Sequence, residues 1–213
     1  TVRSDVALYN AAITACVKAG QWEEAVDIYD RTRQKGIKPD VVTYGVAVAA
    51  FAKGGQWERA VDLLEDMRKD HIEPNINAYN AAISACDKGG EWERAMALLD
   101  DMRQNGIEPD DISYSSAISA CDEDPERSSE LFMRAVGAGY FDAVWTDVPR
   151  RMDLRNLTAP VARSAVRCAL AQPYEDLTIT TGAAGTLRSS ILAMVTNCTE
   201  NQPGVIRVTN DDH

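Results

Sequence analysis

The sequence predicts an α-solenoid of helix-turn-helix repeats, three full and one degenerate, followed by a small α/β sandwich domain. Tyr9, Tyr44, Tyr79 and Tyr114 recur every 35 residues, and beyond residue 144 strand-like and helix-like segments alternate. A fixed period between about 20 and 50 residues is the signature of a repeat architecture. We therefore expect the solenoid to span residues 1–143 and the α/β domain to span residues 144–213.

Each repeat unit reads as two helices. After the Tyr comes a segment rich in Ala, Val and Ile that ends at Gly. A second, amphipathic segment then opens at Trp and, in the first and third units, ends at Gly-Ile-x-Pro. Gly caps a helix and Pro forbids its continuation. Four further residue types keep the period: Lys18, Lys53 and Lys88; Gly20, Gly55 and Gly90; Trp22, Trp57 and Trp92; Pro39, Pro74 and Pro109.

The fourth unit departs from this pattern. It opens normally with Ile112 and Tyr114, but the sequence CDEDPERSSELF replaces the Gly-Gly-x-Trp turn and is shorter by about two residues. We expect this unit to be degenerate.

The net charge of −11 is unevenly distributed. Residues 1–143 carry 15 Lys and Arg against 26 Asp and Glu, whereas residues 144–213 carry 7 of each class. Most of the acidity falls on the second helices, which form either a solvated outer face or a docking surface for a basic protein. In both cases that side repels a phosphate chain.

Other sequence features limit the classes of function that the chain can have. No run approaches the ~20 apolar residues that cross a bilayer, so we expect no membrane span. The chain starts at Thr1 without a signal or transit segment, which predicts a mature or trimmed chain. Cys16, Cys86 and Cys121 share a repeat position with Phe51, and this predicts core packing. We expect no metal, no cofactor and no thiol chemistry.

The order V-x-x-Y-N, Lys, Gly, E/R-A-x-x-L/I and M-x-x-x-G-I-x-P-D resembles the P-type pentatricopeptide repeat over about Val6 to Asp110. The resemblance implies that each repeat reads one RNA base, through the residue after the Tyr and the residue after the Pro. The implied pairs are Asn10 with Asp40, Gly45 with Asn75, and Asn80 with Asp110. In the family Asn with Asp favours uridine, so the expected preference is uridine, any base, uridine.

A second interpretation of these residues stays open. Asp40, Asn75 and Asp110 each follow a Pro and precede a helix, where an N-cap is expected in any case. The resemblance also implies phosphate contacts from Lys18, Lys53 and Lys88. It further implies base-wedging side chains at Val42 and Ile112, a series that Asn77 interrupts.

The C-terminal region resembles the Smr domain over about Met152 to Thr209. MDLR stands where that family has D-L-H, and TGAAG stands where it has T-G-x-G. Some Smr domains resemble RNA endonucleases, but Arg155 at the His position and Ala183 with Ala184 in the turn imply no such activity here. The family's last strand would lie beyond His213, which would leave this domain incomplete.

The glycine-rich turn from Gly182 to Gly185 has two interpretations. Between a strand and a helix it can offer backbone amides to a phosphate, with Arg188 as the charged helper. Alternatively, it is simply a tight connection that favours Gly.

Two functions follow from the sequence. One is a non-catalytic, organellar RNA-binding adaptor for uridine-leaning single-stranded RNA. The other is a scaffold subunit that keeps the repeat fold but docks on a large organellar protein assembly through its acidic helices. The family resemblance implies a plastid or mitochondrial location in both cases.

Overall fold

A computed structural model describes residues 2–144, 151–171, 176–181, 185–195, 198–202 and 205–209. These residues form ten α-helices, one short 3-10 helix and four strands, and they divide into two compact units, Thr1–Ala120 and Cys121–His213. In the part of the chain that is described, no helix is both long enough and apolar enough to cross a membrane.

The first unit is a solenoid of paired helices, as the period predicts. The first helix of each repeat packs beside the first helix of the next, and each second helix packs against this layer. The seven helices are α1 (Val2–Ala19), α2 (Trp22–Gln34), α3 (Val41–Lys53), α4 (Trp57–Lys69), α5 (Ile76–Gly89), α6 (Trp92–Gln104) and α7 (Asp111–Ala120).

The Gly pair that separates the two helices of a repeat has two roles. The second Gly of the pair adopts a left-handed backbone, with φ of 68° at Gly55 and 71° at Gly90, which side chains disfavour. The first Gly admits an indole from the preceding repeat, because a Cβ at Gly54 would lie 2.4 Å from the Trp22 ring. The turn therefore ends one helix and joins two repeats.

The core of the solenoid contains the periodic residues. The rings of Tyr44, Tyr79 and Tyr114 are buried, and so are Phe51 and Cys86 at the shared apolar position. Burial raises the pKa of the Cys86 thiol to about 11, which keeps it protonated at neutral pH. Among the described residues, no three His, Cys, Asp or Glu side chains are grouped so that they could hold a metal ion.

The second unit combines helices with a mixed sheet. Its strands are β1 (Arg151–Asp153), β2 (Asp176–Thr180), β3 (Cys198–Gln202) and β4 (Val205–Thr209). They are ordered β1-β2-β4-β3, with β1 parallel to β2 and the other pairs antiparallel. Buried Met152, Ile179 and Ile206 lie opposite one another across the sheet. The helical elements are α8 (Pro125–Gly137), a 3-10 turn (Asp142–Val144), α9 (Ala159–Leu170) and α10 (Thr186–Leu192).

The degenerate fourth repeat is split between the two units. Helix α8 starts four residues after Cys121, whereas α6 starts six residues after Cys86, so the shortened turn is confirmed. Helix α8 packs on α9, and Arg167 of α9 donates to the Ser128 hydroxyl at 3.1 Å. The division between the compact units falls after Ala120, and the domain boundary expected at residue 143 stays a prediction.

The sheet contains a strand that the sequence did not predict. Periodicity predicts a helix as far as Cys198, but α10 ends at Leu192 and Cys198 begins β3. Strand β3 has the sequence CTENQ, which lacks the apolar alternation that marks a strand. It forms instead because β4 offers a partner for an antiparallel ladder, with Cys198 opposite Val208.

Candidate nucleic-acid interface

Three of the residues predicted to contact RNA, Val42, Gly45 and Lys53, lie on one face of helix α3. These residues form a single stripe, because positions three, eight and eleven residues apart align on a helix. Val42 is 52% exposed, and its counterpart Ile112 on α7 is 57% exposed. On α3, the wedge, reading and lysine positions therefore lie along one side of the helix, and their contact with RNA stays a prediction.

In the first repeat, the reading pair is part of a hydrogen-bonded cluster. The Asn10 Nδ2 donates to Asp40 Oδ1 at 3.0 Å, and the Asn10 Oδ1 accepts from the Thr43 hydroxyl at 2.6 Å. Asp40 also caps α3, accepting from the Thr43 backbone N–H at 2.8 Å. Asn10 is only 9% exposed, so its amide orientation is held by these bonds.

The third repeat contains the same cluster. The Asn80 Nδ2 donates to both carboxylate oxygens of Asp110, at 3.1 and 3.2 Å, and the Asn80 Oδ1 accepts from the Ser113 hydroxyl. Asp110 caps α7 by accepting from the Ser113 backbone N–H at 2.8 Å. Because Asn80 is 8% exposed, its amide is held in the same way as that of Asn10.

The second repeat lacks the cluster. Asn75 caps α5 by accepting from the Ala78 backbone N–H at 3.0 Å. However, Gly45 stands in the place of Asn10, and Ala78 in the place of Thr43. All three positions of the cluster therefore differ together in this repeat.

Asp40 and Asp110 are ionised at neutral pH. Partial burial acts to raise their pKa values, but hydrogen bonds from Thr43 and Asn10, and from Ser113 and Asn80, outweigh it and hold the pKa of each carboxyl below its usual range. Each carboxylate can therefore only accept hydrogen bonds, and the amide beside it presents a donor.

Both interpretations of the residue after the Pro have a structural counterpart. Capping by Asp40, Asn75 and Asp110 is present in every case, as expected of an N-cap. Capping alone gives no role to the Asn after the Tyr, and it is this Asn that completes the cluster. Sequence reasoning missed Thr43 and Ser113, although D-x-x-T and D-x-x-S at the repeat period is a capping-box signal.

Two of the predicted phosphate-binding lysines contact the neighbouring repeat. The Lys53 Nζ lies 2.5 Å from the Val17 carbonyl oxygen, and the Lys88 Nζ lies 3.3 Å from that of Ala52. Both carbonyls lie in the last turn of the preceding first helix, where a cation is favourable. An ammonium has three N–H donors, so a phosphate contact stays compatible with these bonds. Lys18, in the first repeat, is exposed.

The second helices carry the acidic residues and several links between repeats. Helix α4 contains four Asp and Glu residues, whereas α3 contains none. Arg59 of α4 pairs with Asp30 of α2 at 3.0 Å. Arg68 of α4 pairs with Asp101 of α6, so basic residues on these helices neutralise part of the acidic surface.

The residues singled out in the second unit are only partly described. Gly182, Ala183 and Ala184 lie outside the described residues, and Arg188 is half-buried in the short helix α10. The phosphate contact stays a prediction. At the position of the Smr histidine, the Arg155 Nε donates to Asp153 Oδ1 at 2.9 Å. This hydrogen bond is the largest influence on the Asp153 carboxyl and lowers its pKa.

Sequence comparisons identify the repeats. A family model described as pentatricopeptide repeat domain matches residues 36–89 and 62–123, and one described as PPR repeat family matches residues 4–53. Residues 4–123 belong to the pentatricopeptide repeat family. Both matches lie in the solenoid, so the Smr resemblance of the C-terminal region stays a prediction. A search of curated proteins found no match.

Solved pentatricopeptide structures share the fold. PPR10 in complex with an 18-nt psaJ RNA element aligns with a TM-score of 0.61 at 23% identity, over 82% of this chain and 24% of PPR10. The PPR domain of Arabidopsis thaliana protein-only RNase P 1 in complex with tRNA aligns with a TM-score of 0.61 at 16% identity, over 88% of this chain and 97% of that domain. At these identities the likeness establishes the fold, and the chain spans about a quarter of PPR10.

Proposed function

We propose that this chain is an organellar RNA-binding adaptor that reads single-stranded RNA at about one base per repeat and does not cleave it. The observation that carries the proposal is the Asn, Asp and hydroxyl cluster, which recurs in the first and third repeats beside the exposed face of the first helices. Two relatives with this fold were solved bound to RNA, which supports the same class of ligand.

The chemistry of the clusters supports uridine at two positions. Asn10 with Asp40, and Asn80 with Asp110, combine an amide donor with a carboxylate acceptor. The pairing edge of uridine offers the complement, a carbonyl acceptor beside an N–H donor. Gly45 offers no side chain, so the second repeat tolerates any base. The RNA runs 5′ to 3′ along the N-to-C direction.

The charge distribution favours the first-helix face for a polyanion. Helix α3 has no carboxylate of its own, and Lys18 and Lys53 lie at the exposed ends of their helices. The acidic second helices repel a phosphate chain from the other side. Val42 and Ile112, on the same face, are the side chains that would wedge between successive bases.

The affinity of three repeats is expected to be low. Stacking and edge contacts contribute ~1–3 kcal/mol per base, so three bases give ~3–9 kcal/mol. Association itself costs ~4–15 kcal/mol. Binding by this chain is therefore best measured at low salt, where phosphate contacts are least screened.

A second candidate function is supported by the acidic second helices. In that case the chain is a scaffold subunit of a large organellar assembly, and Glu58, Asp62 and Glu65 on α4 belong to the docking surface. All three side chains are exposed. The two functions place the partner on opposite layers of the solenoid, which makes them separable by charge reversal.

The test combines two sets of substitutions. For an adaptor, changing Glu58, Asp62 and Glu65 to Lys should leave partner association intact and strengthen RNA binding at low salt, whereas Lys18→Glu should weaken RNA binding by roughly 1 kcal/mol. Lys18 is the suitable lysine because Lys53 and Lys88 also bond to carbonyls of the neighbouring repeat. Release from a native assembly by the acidic reversal, with no effect of Lys18→Glu on RNA, would make the chain a scaffold.

We also propose that the C-terminal region is a non-catalytic, Smr-like domain. Asp153 is bound by Arg155 where that family has a His, which leaves the carboxylate in an ion pair. Labelled RNA should therefore stay full-length in the binding assay. Cleavage that disappears in Asp153→Ala would contradict this expectation.

A further inference from the structure

We infer that Thr43 and Ser113 are specificity-positioning residues, whose hydroxyl groups fix the base-reading amides of the preceding repeats. The inference rests on the proposed function, because it assigns these residues a role in base selection. Neither residue need touch RNA. Both side chains are buried, at 1% and 0% exposure, and each acts through the Asn that its hydroxyl contacts.

The hydroxyl determines which end of the amide is available. Turning an Asn amide by 180° exchanges its donor and its acceptor, and neighbouring groups decide which orientation is stable. The Thr43 hydroxyl has a single proton, and the Asn10 Oδ1 at 2.6 Å is its nearest acceptor. With Oδ1 occupied in this way, Nδ2 faces the carboxylate of Asp40, and the donor side of the amide is left for a base.

Loss of the hydroxyl changes this balance. The Asn10 Oδ1 would become a buried acceptor without a donor, which is costly. The amide could regain a donor only by rotating its oxygen towards a bound base that carries an amino group, and this rotation would give up the Nδ2 bond to Asp40. Cytosine has such a group on its pairing edge and uridine does not. The geometry therefore predicts a weaker preference for uridine over cytosine.

Base reading then depends on two consecutive repeats. Asn10 belongs to the first repeat, while Thr43 is in the first helix of the second repeat. Asn80 and Ser113 are related in the same way across the third and fourth repeats. In the second repeat, where Gly45 has no amide to orient, the corresponding residue is Ala78, which has no hydroxyl. The hydroxyl is thus present where there is an amide to hold.

A purely structural role for the same hydroxyl makes a different prediction. The Asp40 backbone N–H donates to the Thr43 Oγ1 at 3.2 Å, which closes a capping box at the start of α3. If capping is the only role, Thr43→Val lowers stability and weakens uridine and cytosine binding equally. If the hydroxyl positions Asn10, the ratio of the two affinities changes.

The experiment measures uridine and cytosine binding at each reading position, in the full chain at low salt. We expect Thr43→Val to reduce the uridine-to-cytosine affinity ratio at the first position by up to about tenfold and to leave the third position unchanged. Ser113→Ala should do the reverse. Thr43→Ser should keep the wild-type ratio, since Ser113 already performs this role in the third repeat. Ala78→Ser, in the repeat without an amide, is the matched control and should change neither ratio.

The outcomes separate the inference from the function on which it rests. Equal binding of uridine and cytosine by the wild-type protein at both positions would overturn the uridine preference on which this inference rests, whereas the proposed base reading falls only if U-N-U and A-N-A also bind equally. A wild-type preference that persists in both Thr43→Val and Ser113→Ala would overturn the inference alone. Thermal unfolding of each variant identifies any loss of the fold, and the two sites test the inference independently.

Discussion

At the residue scale, the solenoid is held together by polar clusters around the periodic tyrosines. The Tyr79 hydroxyl donates to Asp101 Oδ2 at 2.7 Å, and Arg68 from the preceding repeat donates to both groups. The pKa of Tyr79 is raised to about 12, mainly by burial and to a smaller extent by the hydrogen bond to Asp101. Partial burial raises the pKa of Asp101, but Tyr79 and Arg68 outweigh it and lower the value. The cluster therefore needs an ionised Asp101.

This cluster predicts a pH-dependent effect of Asp101→Asn. Since the folded-state pKa of Asp101 lies below its usual value of 3.8, its contribution is complete above that pH and is lost as pH falls through the folded-state pKa. We expect Asp101→Asn to lower the free energy of unfolding by about 1 kcal/mol at pH 7. The difference from wild type should vanish under strongly acidic conditions.

Urea unfolding at neutral and at acidic pH measures the difference in free energy of unfolding between wild type and Asp101→Asn under each condition. The control is Asp62→Asn, an exposed change on α4 for which we expect no comparable loss. A deficit of the same size in acid would show that the ionised form of Asp101 is not what stabilises the cluster.

The sequence marked the periodic tyrosines but predicted neither their burial nor their partners. The period of 35 identifies Tyr79 as a repeat position. Arg68 lies on an amphipathic second helix, where sequence pattern assigns it to solvent. Its contact with Tyr79 exists only because consecutive repeats stack, and local pattern does not contain that information. For the same reason, the burial of Asn10 and Asn80 was not foreseen.

At the element scale, the contact between repeats depends on the absence of a side chain. Gly54 has an ordinary backbone, with φ of −80°, so its conformation alone does not require Gly. The Trp22 ring lies where a Cβ would be, at 2.4 Å. Gly89 repeats this arrangement with the Trp57 ring at 2.5 Å. The packing of α2 on the first helix of the next repeat therefore explains why position 54 is Gly.

Gly54→Ala and Gly45→Ala are predicted to have opposite effects. The first substitution forces Trp22 to move and should destabilise the solenoid by ~1–3 kcal/mol. A Cβ at Gly45, inside α3, meets nothing within 4 Å, and Ala there should stabilise by ~0.5–1 kcal/mol. Thermal or urea unfolding of the two variants gives the comparison. Equal stabilisation by both would mean that the indole does not constrain Gly54.

Element boundaries were predictable where Gly and Pro punctuate the chain. The first six helices end close to the expected residues, because each of these stops carries a chemical signal such as Gly55 or Pro39. The elements of the second unit were harder to predict from the sequence. Strand β3 is polar, and its formation depends on the partner that β4 provides, so nothing in the local sequence marks it.

At the scale of the whole molecule, charge and chemistry are divided between two layers of the solenoid. The first helices carry the clusters of Asn10 and Asn80, the exposed Val42 and Ile112, and few carboxylates. The second helices carry most of the acid. Under the proposed function, this separation allows an acidic protein to bind RNA on one side. The sequence predicted it, since both helices follow directly from the repeat period.

The most direct test of the central claim is the binding of short RNAs that differ only at the reading positions. Fluorescence anisotropy at low salt compares U-N-U with A-N-A in the same neutral sequence context, with N varied in turn. We expect tighter binding of U-N-U, no dependence on the middle base opposite Gly45, and a shift of the third preference away from uridine in Asn80→Thr. Equal affinity for U-N-U and A-N-A, unchanged in Asn80→Thr, would contradict base reading by these repeats and favour a scaffold.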